Sequence, residues 1–256
     1  MALLTVDLFS ESLAVGTTLT VVLPQATEGQ VGVDAIEVPE HGWPVLYLLH
    51  GLSDDHTAWL RYTSIERHAR AAGLAVVMPA AGRSLYADEV HGHRYWTWVS
   101  EELPQRVREL FRLSERPQDT YVAGISMGGY GALRLALTHP QRYAGVASLS
   151  GALDVHVLEL PERAELLQRI FDGTIPDEVD LFHLLQDADP RRLPPLYVGC
   201  GTEDALLDAN ERFAAAATAA GADVTTDIRP GEHEWGLWDT MFPEVIAWLP
   251  LGRSHD

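Results

Sequence analysis

Short, uninterrupted apolar runs recur along the chain, each followed by a loop and then by a stretch of helical character. Residues 45–49, 74–78, 121–123, 146–149 and 196–198 are such runs, rich in Val, Leu, Ala and Tyr. Runs without in/out alternation suit strands covered on both faces, which means a mostly parallel sheet with helices on either side. Between them, residues 63–72, 101–113, 127–138, 207–220 and 238–249 read as helices, and Pro140 and Gly221 stand where helix stops belong. Residues 17–23 alternate and predict an antiparallel edge strand, while 224–228 predict a final strand. The rhythm predicts one α/β domain over residues 1–256, built on a mostly parallel sheet of about eight strands. Only residues 154–195 break it. They hold helix-like segments at 162–171 and 179–185 but no strand before Leu196, and read either as a long connection or as a cap over a site.

The balance of 18 basic against 37 acidic residues gives a formal net charge of −19. Such a field repels phosphate backbones and anionic lipid, so neither nucleic acid nor membrane is an expected partner. The single cysteine, Cys200, excludes an internal disulfide and any multi-cysteine metal site. No basic residue precedes the apolar stretch in residues 1–10, and no run approaches a membrane span, so a cytoplasmic location is expected. The sequence leaves a homo-oligomer open.

The chemistry is carried by Gly124-Ile125-Ser126-Met127-Gly128, at the junction between the strand at 121–123 and the helix from Met127. Gly-x-Ser-x-Gly alone is a weak pattern. At a strand-to-helix junction it predicts a tight elbow that lifts the serine hydroxyl clear of the backbone. A serine attacks only with a base and an orienting acid beside it. After the strand at 196–198 comes Gly199-Cys200-Gly201-Thr202-Glu203-Asp204, and after the strand at 224–228 comes Gly231-Glu232-His233-Glu234-Trp235. The order Ser126, Asp204, His233 is the order an α/β-hydrolase requires, with Glu203 and Asp208 as rival acids. Of eleven histidines, His233 stands out by its turn after the last strand; His156 and His183 fall in the insertion and His255 in the tail. Upstream, His50-Gly51-Leu52 ends the strand at 45–49, which makes the amides of Leu52 and Met127 the expected oxyanion donors. His50 itself is expected to brace that loop.

These blocks, together with Trp96-Thr97-Trp98-Val99-Ser100-Glu101-Glu102-Leu103-Pro104, resemble the esterase D and tributyrin-esterase group of α/β-hydrolases. That group includes S-formylglutathione hydrolases, acetyl-xylan and feruloyl esterases, and mycolyltransferases. The resemblance implies a Ser126–His233–Asp204 triad, hydrolysis of short acyl esters, a small-molecule ester as partner and no cofactor. S-formylglutathione hydrolysis, sugar-ester hydrolysis and acyl transfer are the enzymatic rivals. A catalytically silent binding protein of the same fold is the non-enzymatic one. Trp96 and Trp235 are the aromatic residues expected to touch substrate. His91 and His93, with no matching carboxylates, read as loop histidines, and no metal is expected.

Overall fold

The computed structural model describes residues 1–27 and 36–252; His255 lies outside the described residues. Eight strands form one sheet in the order β1-β2-β4-β3-β5-β6-β7-β8. They are β1 (Ala2–Ser10), β2 (Val15–Leu23), β3 (Val45–Leu49), β4 (Ala75–Pro79), β5 (Thr120–Ile125), β6 (Gly145–Leu149), β7 (Leu196–Gly201) and β8 (Val224–Arg229). From β4 to β8 in that order every pair is parallel, whereas β2 is antiparallel to both β1 and β4. The antiparallel reading of residues 17–23 is therefore right and the edge reading is not. The edge belongs to β1, whose alternation is masked because Leu3 and Phe9 are apolar yet point outward.

The helices are α1 (Ala58–Tyr62), α2 (Ile65–Ala71), α3 (Tyr95–Thr97), α4 (Leu103–Leu110), α5 (Met127–Thr138), α6 (Ala164–Phe171), α7 (Leu181–Asp187), α8 (Leu207–Ala220) and α9 (Trp235–Trp248). A π turn over Trp98–Glu102 joins α3 to α4. The central strands are buried along their whole length, so their side chains alternate between two apolar layers. Leu46 and Leu48 point to the layer that holds Trp59 of α1, Ile65 of α2 and Phe242 of α9. Val45, Tyr47 and Leu49 point to the opposite layer, with Val107 of α4, Leu133 of α5, Leu181 of α7 and Phe213 of α8.

Residues 154–195 carry α6, α7 and four 3₁₀ turns, and add no strand. The insertion is pinned to the loop after β4. Val90 and His91 donate backbone bonds to the carbonyls of Ile170 and Arg169, and Arg169 pairs with the buried Glu89 carboxylate at 2.7 Å.

Glu102 shows how an acid in a helix-forming segment serves the fold. Its carboxylate accepts from the Ser10 hydroxyl (2.7 Å) and from the amides of Glu11 (2.9 Å) and Ser12 (2.8 Å), clamping the β1–β2 turn. Burial raises its pKa, but the bonds from Ser12, Ser10 and Glu11 outweigh that and hold it down at about 2. A carboxylate depressed in the folded state stabilises fully above its unfolded pKa, and the contribution fades as pH falls toward the folded value. Glu102→Gln is expected to cost about 1–2 kcal/mol in urea unfolding at neutral pH. The difference between variant and wild type should shrink between about pH 4 and pH 2. A deficit independent of pH would show that packing, and not the charge, is what the side chain contributes.

Candidate active site

Ser126 sits between the end of β5 and the first residue of α5, with φ 52° and ψ −116°. That conformation is costly for a residue with a side chain, and the surrounding backbone enforces it. The Ser126 amide donates to the Leu149 carbonyl (3.0 Å), and its carbonyl accepts from the amides of Tyr130 (3.1 Å) and Ala152 (3.0 Å). The glycines on either side are sterically required. A Cβ on Gly124 would lie 2.4 Å from the Gly128 backbone, and one on Gly128 would lie 2.4 Å from the Leu49 carbonyl oxygen. Neither approach leaves room for a methyl group, so the elbow needs glycine at both positions.

β7 and β8 bring the other two residues to the same end of the sheet. Asp204 Oδ2 lies 2.8 Å from His233 Nδ1, and the Asp204 carboxylate is fully buried while His233 is 36% exposed. The second carboxylate oxygen accepts from the Leu206 amide at 2.8 Å. Burial raises the Asp204 pKa, but the bonds from His233, Leu206 and Ser150 outweigh it and keep the group ionised. The imidazole is flanked on another side by Trp238, packed edge-on with ring centroids 4.9 Å apart. The rival acids are occupied elsewhere. Glu203 accepts from the Gly231 amide, and Asp208 pairs with Arg212.

Ser126, Asp204 and His233 line one cleft of about 580 Å³, together with Leu52, Met127, Trp235 and Trp238. Met127 opens α5, so its amide has no carbonyl in a preceding turn to bind. Leu52 is a central residue of the turn closed by the Asp54 amide on the Gly51 carbonyl, 3.2 Å. His50 holds that turn from behind. Its Nδ1 meets the Gly51 carbonyl at 2.7 Å and its Nε2 accepts the Ala81 amide at 3.0 Å, a pattern that only a neutral ring satisfies. Burial lowers its pKa in the same sense.

Of the two tryptophans expected at the substrate, Trp235 lines the cleft, stacked on Tyr62 with centroids 5.0 Å apart. Trp96 does not and stands corrected. Its ring stacks on His139 and lies 4.0 Å beneath the Arg134 guanidinium, where it anchors the loop to α5. His91 pairs with Asp172 and His93 bonds the Leu13 carbonyl, and no metal-binding cluster occurs among the described residues.

Several cleft residues were not legible in the sequence. Leu158 and Arg163 come from the insertion and Arg83 from the loop after β4. Ser150, at φ 46°, accepts from the Trp238 indole at 3.0 Å behind Asp204. Only the abrupt end of an apolar run at Ser148-Leu149-Ser150 hints at that role. Cys200 lies beside Ser150, and burial with the nearby Asp204 charge pushes its thiol up to about 12, so it does not compete as a nucleophile.

An eight-stranded, mostly parallel sheet with a strained serine between β5 and a helix, and an Asp–His pair after β7 and β8, is the α/β-hydrolase arrangement. The profile of the Esterase family matches residues 10–249, and the chain belongs to that family of ester hydrolases. It is 26% identical to an acetyl esterase of Caldicellulosiruptor saccharolyticus over 97% of this chain and 98% of that one. Among solved structures, it resembles the fluorophosphonate-binding serine hydrolase FphF of Staphylococcus aureus at TM-score 0.87 and 31% identity, covering 97% of this chain and 98% of that one. It also resembles the S-formylglutathione hydrolase FrmB of Staphylococcus aureus, at TM-score 0.84 and 31% identity with the same coverage. No helix among the described residues is long and apolar enough to cross a membrane.

Proposed function

We propose that the protein is a serine carboxylesterase that hydrolyses short acyl esters through an acyl-enzyme on Ser126. The observation that carries this reading is the 2.8 Å Asp204–His233 contact in the cleft that Ser126 lines, with Ser126 held at positive φ. In this mechanism His233 takes the Ser126 proton as the hydroxyl oxygen attacks the ester carbonyl. Asp204 fixes the proton-bearing nitrogen of the ring and stabilises the imidazolium that forms. The Leu52 and Met127 amides receive the oxyanion. Collapse breaks the bond to the alcohol, which leaves with the proton from His233. Water, deprotonated by the same ring, then releases the acid and restores Ser126. No step of this mechanism needs a metal or a cofactor.

Acyl length follows from the walls of the cleft. Leu85, Ile125, Ala152, Leu158 and Leu206 give it apolar patches, but Asp54, Arg83 and Arg163 interrupt them. A long acyl tail gains about 0.8 kcal/mol per methylene only where an apolar wall receives it. Over a 4-nitrophenyl ester series, kcat/KM is expected to peak at acetyl to butyryl and to fall by octanoyl. A value that keeps climbing to decanoyl would contradict the short-acyl reading and leave the triad untouched.

The similarity to an S-formylglutathione hydrolase structure over 97% of this chain keeps thioester hydrolysis as the second reading. The same residues would perform it, and relative kcat/KM for S-formylglutathione and 4-nitrophenyl acetate separates the two.

A further inference from the structure

All 18 basic residues of the chain are arginines, set against 37 acidic residues. Several of those described are paired with a neighbouring carboxylate, as Arg61 with Asp55, Arg116 with Asp119, Arg142 with Glu101, Arg212 with Asp154 and Arg229 with Asp227. Two that line the catalytic cleft are not. Among the described residues neither Arg83 nor Arg163 has a carboxylate partner, in a protein whose net charge is −19.

Their placement is built into the fold. Arg163 stands at the N-terminal boundary of α6. Six residues further on, Arg169 of the same helix donates to the Arg83 carbonyl at 2.9 Å and pairs with Glu89 at 2.7 Å. The insertion therefore supplies one cleft arginine and holds the loop that carries the other. Besides Asp204, which is engaged by His233, the acidic residue in the cleft is Asp54, two residues beyond Leu52 on the oxyanion loop. Asp54 disfavours an anion beside the reacting carbonyl, while the arginines favour one at the wall formed by the β4 loop and the insertion.

We propose that Arg83 and Arg163 are specificity-determining residues, and that the esters hydrolysed at Ser126 carry an anionic group, a carboxylate or a phosphate, away from the scissile bond. The proposal rests on the esterase reading given above. A guanidinium offers a planar fork of donors that matches such oxyanions. Binding there would supply counter-charge to two cleft cations that have no carboxylate partner among the described residues.

The test uses two matched ester pairs. Monomethyl glutarate against methyl pentanoate places the charge on the acyl side. 4-Acetoxybenzoate against methyl 4-acetoxybenzoate places it on the alcohol side. The quantity read is the ratio of kcat/KM for the charged ester to that for its neutral partner, which cancels general damage to the site. In at least one pair, Arg83→Gln and Arg163→Gln should each lower that ratio about tenfold. Arg163→Lys should recover part of the loss, and added salt should lower the wild-type ratio. The pair that responds assigns the anion to the acyl or to the alcohol portion. Ratios that neither glutamine variant changes in either pair would overturn the proposal. Ser126→Ala tests the underlying reading separately, because turnover of all four esters surviving that change would overturn the esterase assignment itself.

Discussion

Ser126→Ala and His233→Ala are each expected to lower kcat by roughly 10⁴ to 10⁶, with the double variant costing little more than either single one. The non-additivity is the informative part. If His233 works by taking the proton of Ser126, a ring without its serine has nothing to activate, and a serine without its ring is an ordinary alcohol. What survives is the background that oriented binding and the oxyanion amides provide. Stability should hardly move for Ser126→Ala, since the Ser126 contacts that order the elbow are all made by its backbone. Losses that multiply in the double variant would mean that the two residues act independently and that the pairing is wrong.

Asp204→Asn is expected to lower kcat by up to about 10⁴. Asparagine keeps the size and can still accept from the Leu206 amide, so the loop after β7 should stay folded. Its amide, however, can present a donor to His233 Nδ1 and favour the ring tautomer that cannot take the serine proton. Glu203→Gln is the control. Glu203 is exposed and accepts from the Gly231 amide and the Thr202 hydroxyl, whereas His233 bonds to Asp204, so a small effect on kcat is expected. Rates measured after circular dichroism has verified folding separate the two acids. A large loss at Glu203 with a small one at Asp204 would reverse their roles.

The elements most legible from the sequence were those whose physics is local. The helix at 127–138 begins where the elbow must end and stops before Pro140, and β3 is an apolar run that needs no partner to be recognised. The convergence of Ser126, Asp204 and His233 on one cleft was legible because each follows a strand, and a parallel sheet delivers all such loops to one end. β1 was missed because its outward face carries Leu3 and Phe9, so apolar alternation did not show. The role of Trp96 was misjudged because sequence places it on a loop at the active end of the sheet but does not say which way the ring turns. Arg134, about two turns into α5, draws the ring toward itself and away from the cleft. Arg83, Arg163 and Ser150 were invisible for a related reason. Their placement depends on contacts between segments far apart in the chain, as when Arg169 meets the Arg83 carbonyl 86 positions earlier.

A covalent acyl-enzyme on Ser126 is the step on which the proposed mechanism stands. Mixing the protein with 4-nitrophenyl acetate, quenching in acid within the first turnover and mapping the peptides by mass spectrometry tests it directly. One added acetyl group is expected on the peptide containing Ser126, formed at the rate of the nitrophenol burst and lost on further incubation at neutral pH. Turnover with Ser126 unmodified at every quench time, or an acetyl group on another residue that forms and decays at the catalytic rate, would contradict it.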